Sequence, residues 1–72
     1  MISKQIGLKI KFERIKRNWT QEELGFRAEL NKGTIWKIET NRVSPNVDTL
    51  EKIANALEMT FIELVDTSKV EL

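Results

Sequence analysis

Apolar residues recur along the chain at steps of three and four, and these steps divide it into five amphipathic stretches. In the first, Ile6 and Ile10 form one row, while Leu8, Phe12, Ile15 and Trp19 continue a second at steps of four, three and four. Together they predict a wide buried stripe on a helix running from a Ser3 cap to about Lys16, stopped by Asn18 in the left-handed region. Leu24 and Ala28 share one side of a second, shorter helix, with Phe26 off that side. Ile35 and Ile38 mark the buried side of a third, which leaves Lys32, Gly33, Trp36 and Lys37 facing outward. Val47, Leu50, Ile53, Ala54 and Leu57 line a fourth helix, and Phe61, Ile62, Leu64 and Val65 crowd a short fifth. The pattern predicts an all-α fold with residues 1–66 as one domain. Residues 67–72 carry no helical signal and read as a short tail, either frayed or adding a short strand.

Polar residues punctuate these stretches where helices need them. Thr20 and Glu23 stand at the spacing of a capping box, in which each side chain satisfies the other's backbone N–H, and Thr60 and Glu63 repeat it. Asn31 and Asn46 are N-cap candidates for the third and fourth helices, because a short side-chain oxygen can accept from the free amides of a first turn. Thr40 to Pro45 is a polar loop closed by the only proline. The second and third helices, joined by a tight turn over 29–31, thus form a helix-turn-helix unit between Thr20 and Asn41. A short helix with two lysines and a glycine near its free start suits a major groove.

Composition narrows the chemistry. The 72 residues contain neither cysteine nor histidine, which removes disulfides, thiolate chemistry, the usual zinc ligands and the usual general base. No nucleophile-base pair, metal-ligand cluster or glycine-rich phosphate loop is visible, so an enzyme, a metal site and a cofactor are not expected. No apolar run approaches the roughly 20 residues of a membrane span, and the first residues lack the apolar segment of a secretory signal, so the expected location is cytoplasmic. The overall charge of +1 hides a division: residues 1–42 hold ten Lys/Arg against five Glu, a net +5, and residues 43–72 hold two Lys against six acids, a net −4. A polyanion would meet the first part. Arg14 lies near the apolar side of its helix, where it either finds a partner, for which Glu39 is the candidate, or snorkels into water.

The ordered set Gly7-x-x-Ile10-Lys11-x-x-Arg14, Trp19-Thr20-Gln21-Glu22-Glu23-Leu24, Thr34-Ile35-x-x-Ile38-Glu39, Ser44-Pro45 and Leu50-x-x-Ile53-Ala54-x-Ala56-Leu57 resembles the Cro and phage-repressor-type (XRE-like) helix-turn-helix family. The resemblance covers Gly7 to Val65. It implies a five-helix, lambda-repressor-like DNA-binding domain, usually dimeric, that regulates transcription at short palindromic operators. Position by position, it implies base reading by Lys32, Gly33, Trp36 and Lys37. Backbone phosphate is implied for Thr20, Gln21, Asn31, Thr34, Arg42 and Ser44, and a buried ion pair for Arg14 and Glu39. Three positions depart from the family pattern: Glu29 stands in the turn where glycine is usual, Gly25 where alanine is preferred, and Glu58 where a glycine often ends the fourth helix.

The reading is therefore a sequence-specific regulator binding double-stranded DNA, as a repressor or autoregulator. Lys32 and Lys37 either donate to guanine O6 and N7 or only touch phosphate, and Trp36 either meets a thymine methyl or packs on helix one or on another protein. Phe61, Ile62, Leu64 and Val65 offer a homodimer seam, with a plain core contact as the alternative for Phe61 and Leu64. The competing function is a protein-interaction module on the same fold, holding a protein partner such as a toxin.

Overall fold

The computed structural model describes residues 2–66, with side chains from residue 5, so the tail expected at 67–72 lies outside the described residues. Five helices follow one another: α1 (Ile2–Lys16), α2 (Gln21–Ala28), α3 (Lys32–Glu39), α4 (Val47–Ala56) and α5 (Phe61–Val65). Helix α2 packs on α3 and α4, α1 packs on α3 and α5, and α4 meets α5. The centre they share holds Ile6, Ile10, Leu24, Ala28, Ile35, Ile38, Leu50, Ile53, Ala54, Leu57 and Leu64, with Trp19, Leu30 and Met59 among the partly buried side chains around it.

Each of the last four helices begins where a side-chain oxygen meets its first amides. Thr20, Asn31, Asn46 and Thr60 are extended and accept from Glu23, Thr34, Thr49 and Glu63 N–H. At Thr60 the box is complete, since the Glu63 carboxylate accepts from Thr60 N–H at 2.8 Å. At Thr20 only half of the expected box forms, because the Glu23 carboxylate turns instead to Arg27 Nε at 2.6 Å. Helix α1 begins at Ile2, so Ser3 lies within it rather than capping it.

Asn18, Glu29, Asn41 and Glu58 all have φ near +60°, and each follows the end of one of the first four helices. Glu29 thus occupies the left-handed turn position as expected, at a cost of roughly 1 kcal/mol or more for a residue with a Cβ. Gly25 is not simply the weak point in α2 that helix propensity makes it. A Cβ there would lie 2.6 Å from the Leu30 carbonyl oxygen, so the turn can fold back against α2 only over a glycine. Gly7 plays the same part in α1, where a Cβ would lie 2.6 Å from the Ile38 carbonyl oxygen.

Two apolar expectations fail. Phe12 and Ile15 are about half exposed, at 50% and 49%, so the stripe on α1 is narrower than its pattern. Ile6 and Ile10 face the core, whereas Phe12 and Ile15 lie on the exposed side of the helix; Trp19, beyond its end, still packs against the core. Val47 is also exposed, because as the first residue of α4 it precedes the turn that packs.

Candidate nucleic-acid interface

Helix α3 is fixed at both ends and open along one side. At its start Asn31 Oδ1 accepts from Thr34 N–H at 2.7 Å and from the Thr34 hydroxyl at 3.0 Å. Ile35 and Ile38 are buried, and that leaves Lys32, Gly33, Trp36 and Lys37 exposed together, as their spacing predicts. At its end Glu39, only 6% exposed, receives Arg14 in a two-pronged pair, Nε to Oε2 at 2.7 Å and Nη2 to Oε1 at 3.0 Å. The third arm of the guanidinium, Nη1, donates to the Trp19 carbonyl at 2.7 Å. Gln21 Nε2 donates to Glu39 Oε1 at 3.2 Å. Burying an ion pair is costly unless its donors and acceptors are satisfied, and these bonds satisfy this one. Arg14 is therefore partnered rather than snorkelling.

The bonds refine several residues expected at phosphate. Gln21 commits one donor to Glu39 and braces the ion pair. Thr34 has both its N–H and its hydroxyl engaged by Asn31, so it offers no free donor as the site stands. Thr20 accepts the Glu23 amide at 3.0 Å, which leaves its hydroxyl hydrogen available. Arg42 and Ser44 are exposed in the loop after α3, and the Arg42 guanidinium lies 4.8 Å from the centre of the Trp36 ring. Trp36, 42% exposed, packs neither wholly inward nor freely outward.

The charge division is also sharper than the sequence shows. Glu13 is buried, which its place among cations had hidden, and it gathers Lys9 at 3.4 Å, Lys16 at 3.5 Å and Arg17 at 2.8 Å. Burial alone would push its carboxyl up. Hydrogen bonds from Arg17 and Lys9 and the charges of Lys16 and Lys9 outweigh this and hold it below the usual carboxylate range. Arg14 is taken by Glu39 and Arg27 by Glu23. Among the described side chains, Lys11, Lys32, Lys37, Arg42 and Lys52 are then the cations without a carboxylate. Three of these five sit on α3 or in the loop that follows it.

On α5, Leu64 is wholly buried in the chain's own core and has no surface left for a second copy, which corrects its assignment to a seam. Phe61 and Val65 are half-buried, and Ile62 is 73% exposed. Among the described residues no group of three or more acidic side chains is placed to hold a metal ion, and no helix is long and apolar enough to cross a membrane.

A helix-turn-helix family model matches residues 10–64. An immunity repressor protein of Bacillus phage phi105 is 38% identical over 52 residues, which are 72% of this chain and 36% of the phage protein. The chain thus spans about a third of the length of that relative. Among solved structures, the apo form of the competence regulator ComR from Streptococcus vestibularis aligns with a TM-score of 0.85 at 33% identity, over all of this chain and 24% of ComR. The wild-type restriction-modification controller protein C.Esp1396I aligns at 0.82 and 28% identity, over 90% of this chain and 88% of that one. The P22 c2 repressor, in complex with a synthetic operator, shares the fold at 0.79 and 24% identity, over 88% and 96%.

Proposed function

The chain belongs to the helix-turn-helix family, and from that premise we propose that it is a sequence-specific, double-stranded-DNA-binding transcriptional regulator, a repressor or autoregulator. The observation that carries the reading is the open side of α3: Lys32, Gly33, Trp36 and Lys37 exposed side by side, with Lys32, Lys37 and nearby Arg42 paired to no carboxylate among the described residues. The names of its relatives, a phage immunity repressor and a controller protein, support the same class of work. The work is binding rather than catalysis.

In this reading Lys32 and Lys37 donate to guanine O6 and N7, Gly33 lets the helix come close, and the Trp36 edge meets a thymine methyl. Arg42, Ser44, Asn31, Gln21 and the Thr20 hydroxyl set the register on phosphate without reading sequence. Two copies joined through Ile62, with Phe61 and Val65 beside it, would place two reading helices about 34 Å apart on a palindromic operator.

Selection of bound duplexes from a random pool tests base reading. Lys37→Ala should cost about 1 to 3 kcal/mol of affinity and relax one operator position. An unchanged base preference in that variant refutes its role. Affinity should also fall steeply with salt, because bound lysines and arginines release counterions from phosphate. A chain whose duplex affinity ignores salt is instead the protein-interaction module. Ile62→Glu should weaken both self-association and operator binding, and a fully active monomeric variant removes the dimer.

A further inference from the structure

Three arginines lie against tryptophan rings, and one of them has no carboxylate partner among the described residues. Arg17 and Arg27 lie 5.8 Å and 4.3 Å from the centre of Trp19, and Arg42 lies 4.8 Å from the centre of Trp36. Arg17 pairs with Glu13 and Arg27 with Glu23, at 2.8 Å and 2.6 Å. Arg42 has no carboxylate among the described residues, and the ring is the sole partner of its guanidinium.

The backbone prepares this contact. The Thr40 hydroxyl donates to the Trp36 carbonyl at 2.7 Å, Asn41 turns left-handed, and Arg42 N–H donates back to the Lys37 carbonyl at 2.8 Å. The chain thereby reverses over the end of α3 and returns the Arg42 side chain to the exposed side that carries Trp36. An aromatic face attracts a guanidinium through its quadrupole without neutralising it, whereas a carboxylate would occupy its N–H donors. A free arginine side chain samples many rotamers, and the stack removes part of that freedom before any ligand arrives.

Resting on the DNA-binding reading, we propose that Trp36 is a positioning residue: its ring face holds Arg42 ready for a phosphate, so that the reading helix and the loop after it engage DNA as one unit. The ring edge remains for the base. Trp36→Phe keeps an aromatic face, while Trp36→Leu keeps apolar contact with a thymine methyl but has no face for a cation. These two, Arg42→Ala and the Trp36→Leu/Arg42→Ala double variant are titrated with a selected duplex over a salt series, each checked for a wild-type helical spectrum.

Trp36→Phe should stay within about twofold of wild type, and Trp36→Leu should lose roughly threefold to tenfold. Trp36→Leu should also reduce the salt slope by about one phosphate, as Arg42→Ala should. The double variant should bind no more than about twofold more weakly than Arg42→Ala. A Trp36→Leu variant with wild-type affinity, an undiminished salt slope or losses that simply add to those of Arg42→Ala overturns the proposal. In a Trp19→Phe background, Arg42→Ala should shift the Trp36 emission of the free protein, and unchanged emission means that no stack exists in solution. Failure of the stack alone leaves the Lys37-dependent base preference intact. A wild-type chain without salt-dependent duplex affinity defeats the DNA reading itself, and this role with it.

Discussion

Glu13 and Glu39 are both buried, yet they hold different parts of the molecule. Glu39 takes one arginine from α1 and one glutamine from α2, so a single carboxylate at the end of α3 ties three helices together. Two of the three cations on Glu13 come from its own helix and the third, Arg17, from the turn just after it, so its reach is indirect: it steadies Arg17, whose Nη2 donates to the Leu57 carbonyl at 2.7 Å at the end of α4. Burial alone does not rank such groups. What ranks them is whether removing the carboxylate strands a buried cation or releases cations that can turn to water.

The largest effect is therefore expected at the first pair. Glu39→Ala leaves the largely buried Arg14 guanidinium without a carboxylate and should cost about 3 to 5 kcal/mol in urea or thermal unfolding. That is a large share of what a domain of this size possesses. Arg14→Met with Glu39→Leu should recover most of the loss, and a single variant as stable as wild type would erase the distinction between the two glutamates. Gly7→Ala stresses the same α1–α3 junction without touching charge. Its Cβ would press on the Ile38 carbonyl, and about 1 to 3 kcal/mol should be lost to overpacking.

Glu13→Gln should cost less, about 1 to 2 kcal/mol at neutral pH, since Lys16 already lies mostly in water. Its pH dependence is diagnostic. The carboxyl is held below its ordinary range in the fold, so its contribution is present above the unfolded value and is lost as pH falls through the lowered folded value. The gap between wild type and Glu13→Gln should close on acidification, and a constant gap would show that charge is not what Glu13 supplies. The smallest effect belongs to Glu23→Gln, where the exposed Arg27 pair should be worth only about 0.3 to 0.5 kcal/mol.

The five helices and the starts of the last four are legible in the sequence because the signals are local. Thr20, Asn31, Asn46 and Thr60 act on amides three residues away, and the steps through Leu24, Ala28, Ile35 and Ile38 mark one buried side. The pair of Arg14 and Glu39 was legible through the family resemblance and through the cost of a lone buried guanidinium. The two rows on α1 were ambiguous, since periodicity shows which residues share a side but not which side meets the core, and Phe12 and Ile15 fell on the outer one. Glu13 was hidden because a glutamate among lysines at helical spacing looks the same whether that side is wet or dry. Gly25 read as a weakness because the carbonyl it accommodates is five residues on, across a turn. Gln21 reads as a phosphate contact, and only packing reveals that one of its amide donors is already held by Glu39.

The four left-handed helix stops carry a consequence for engineering. Two are asparagines, which tolerate that conformation, but Glu29 and Glu58 pay in backbone strain for side chains that point into solvent. Replacing each with glycine should raise the melting temperature, by an amount worth up to about 1 kcal/mol per site after the added freedom of the unfolded chain is subtracted. Neither exchange alters the open side of α3, so a hardier scaffold is available without any change to the surface that would select a target.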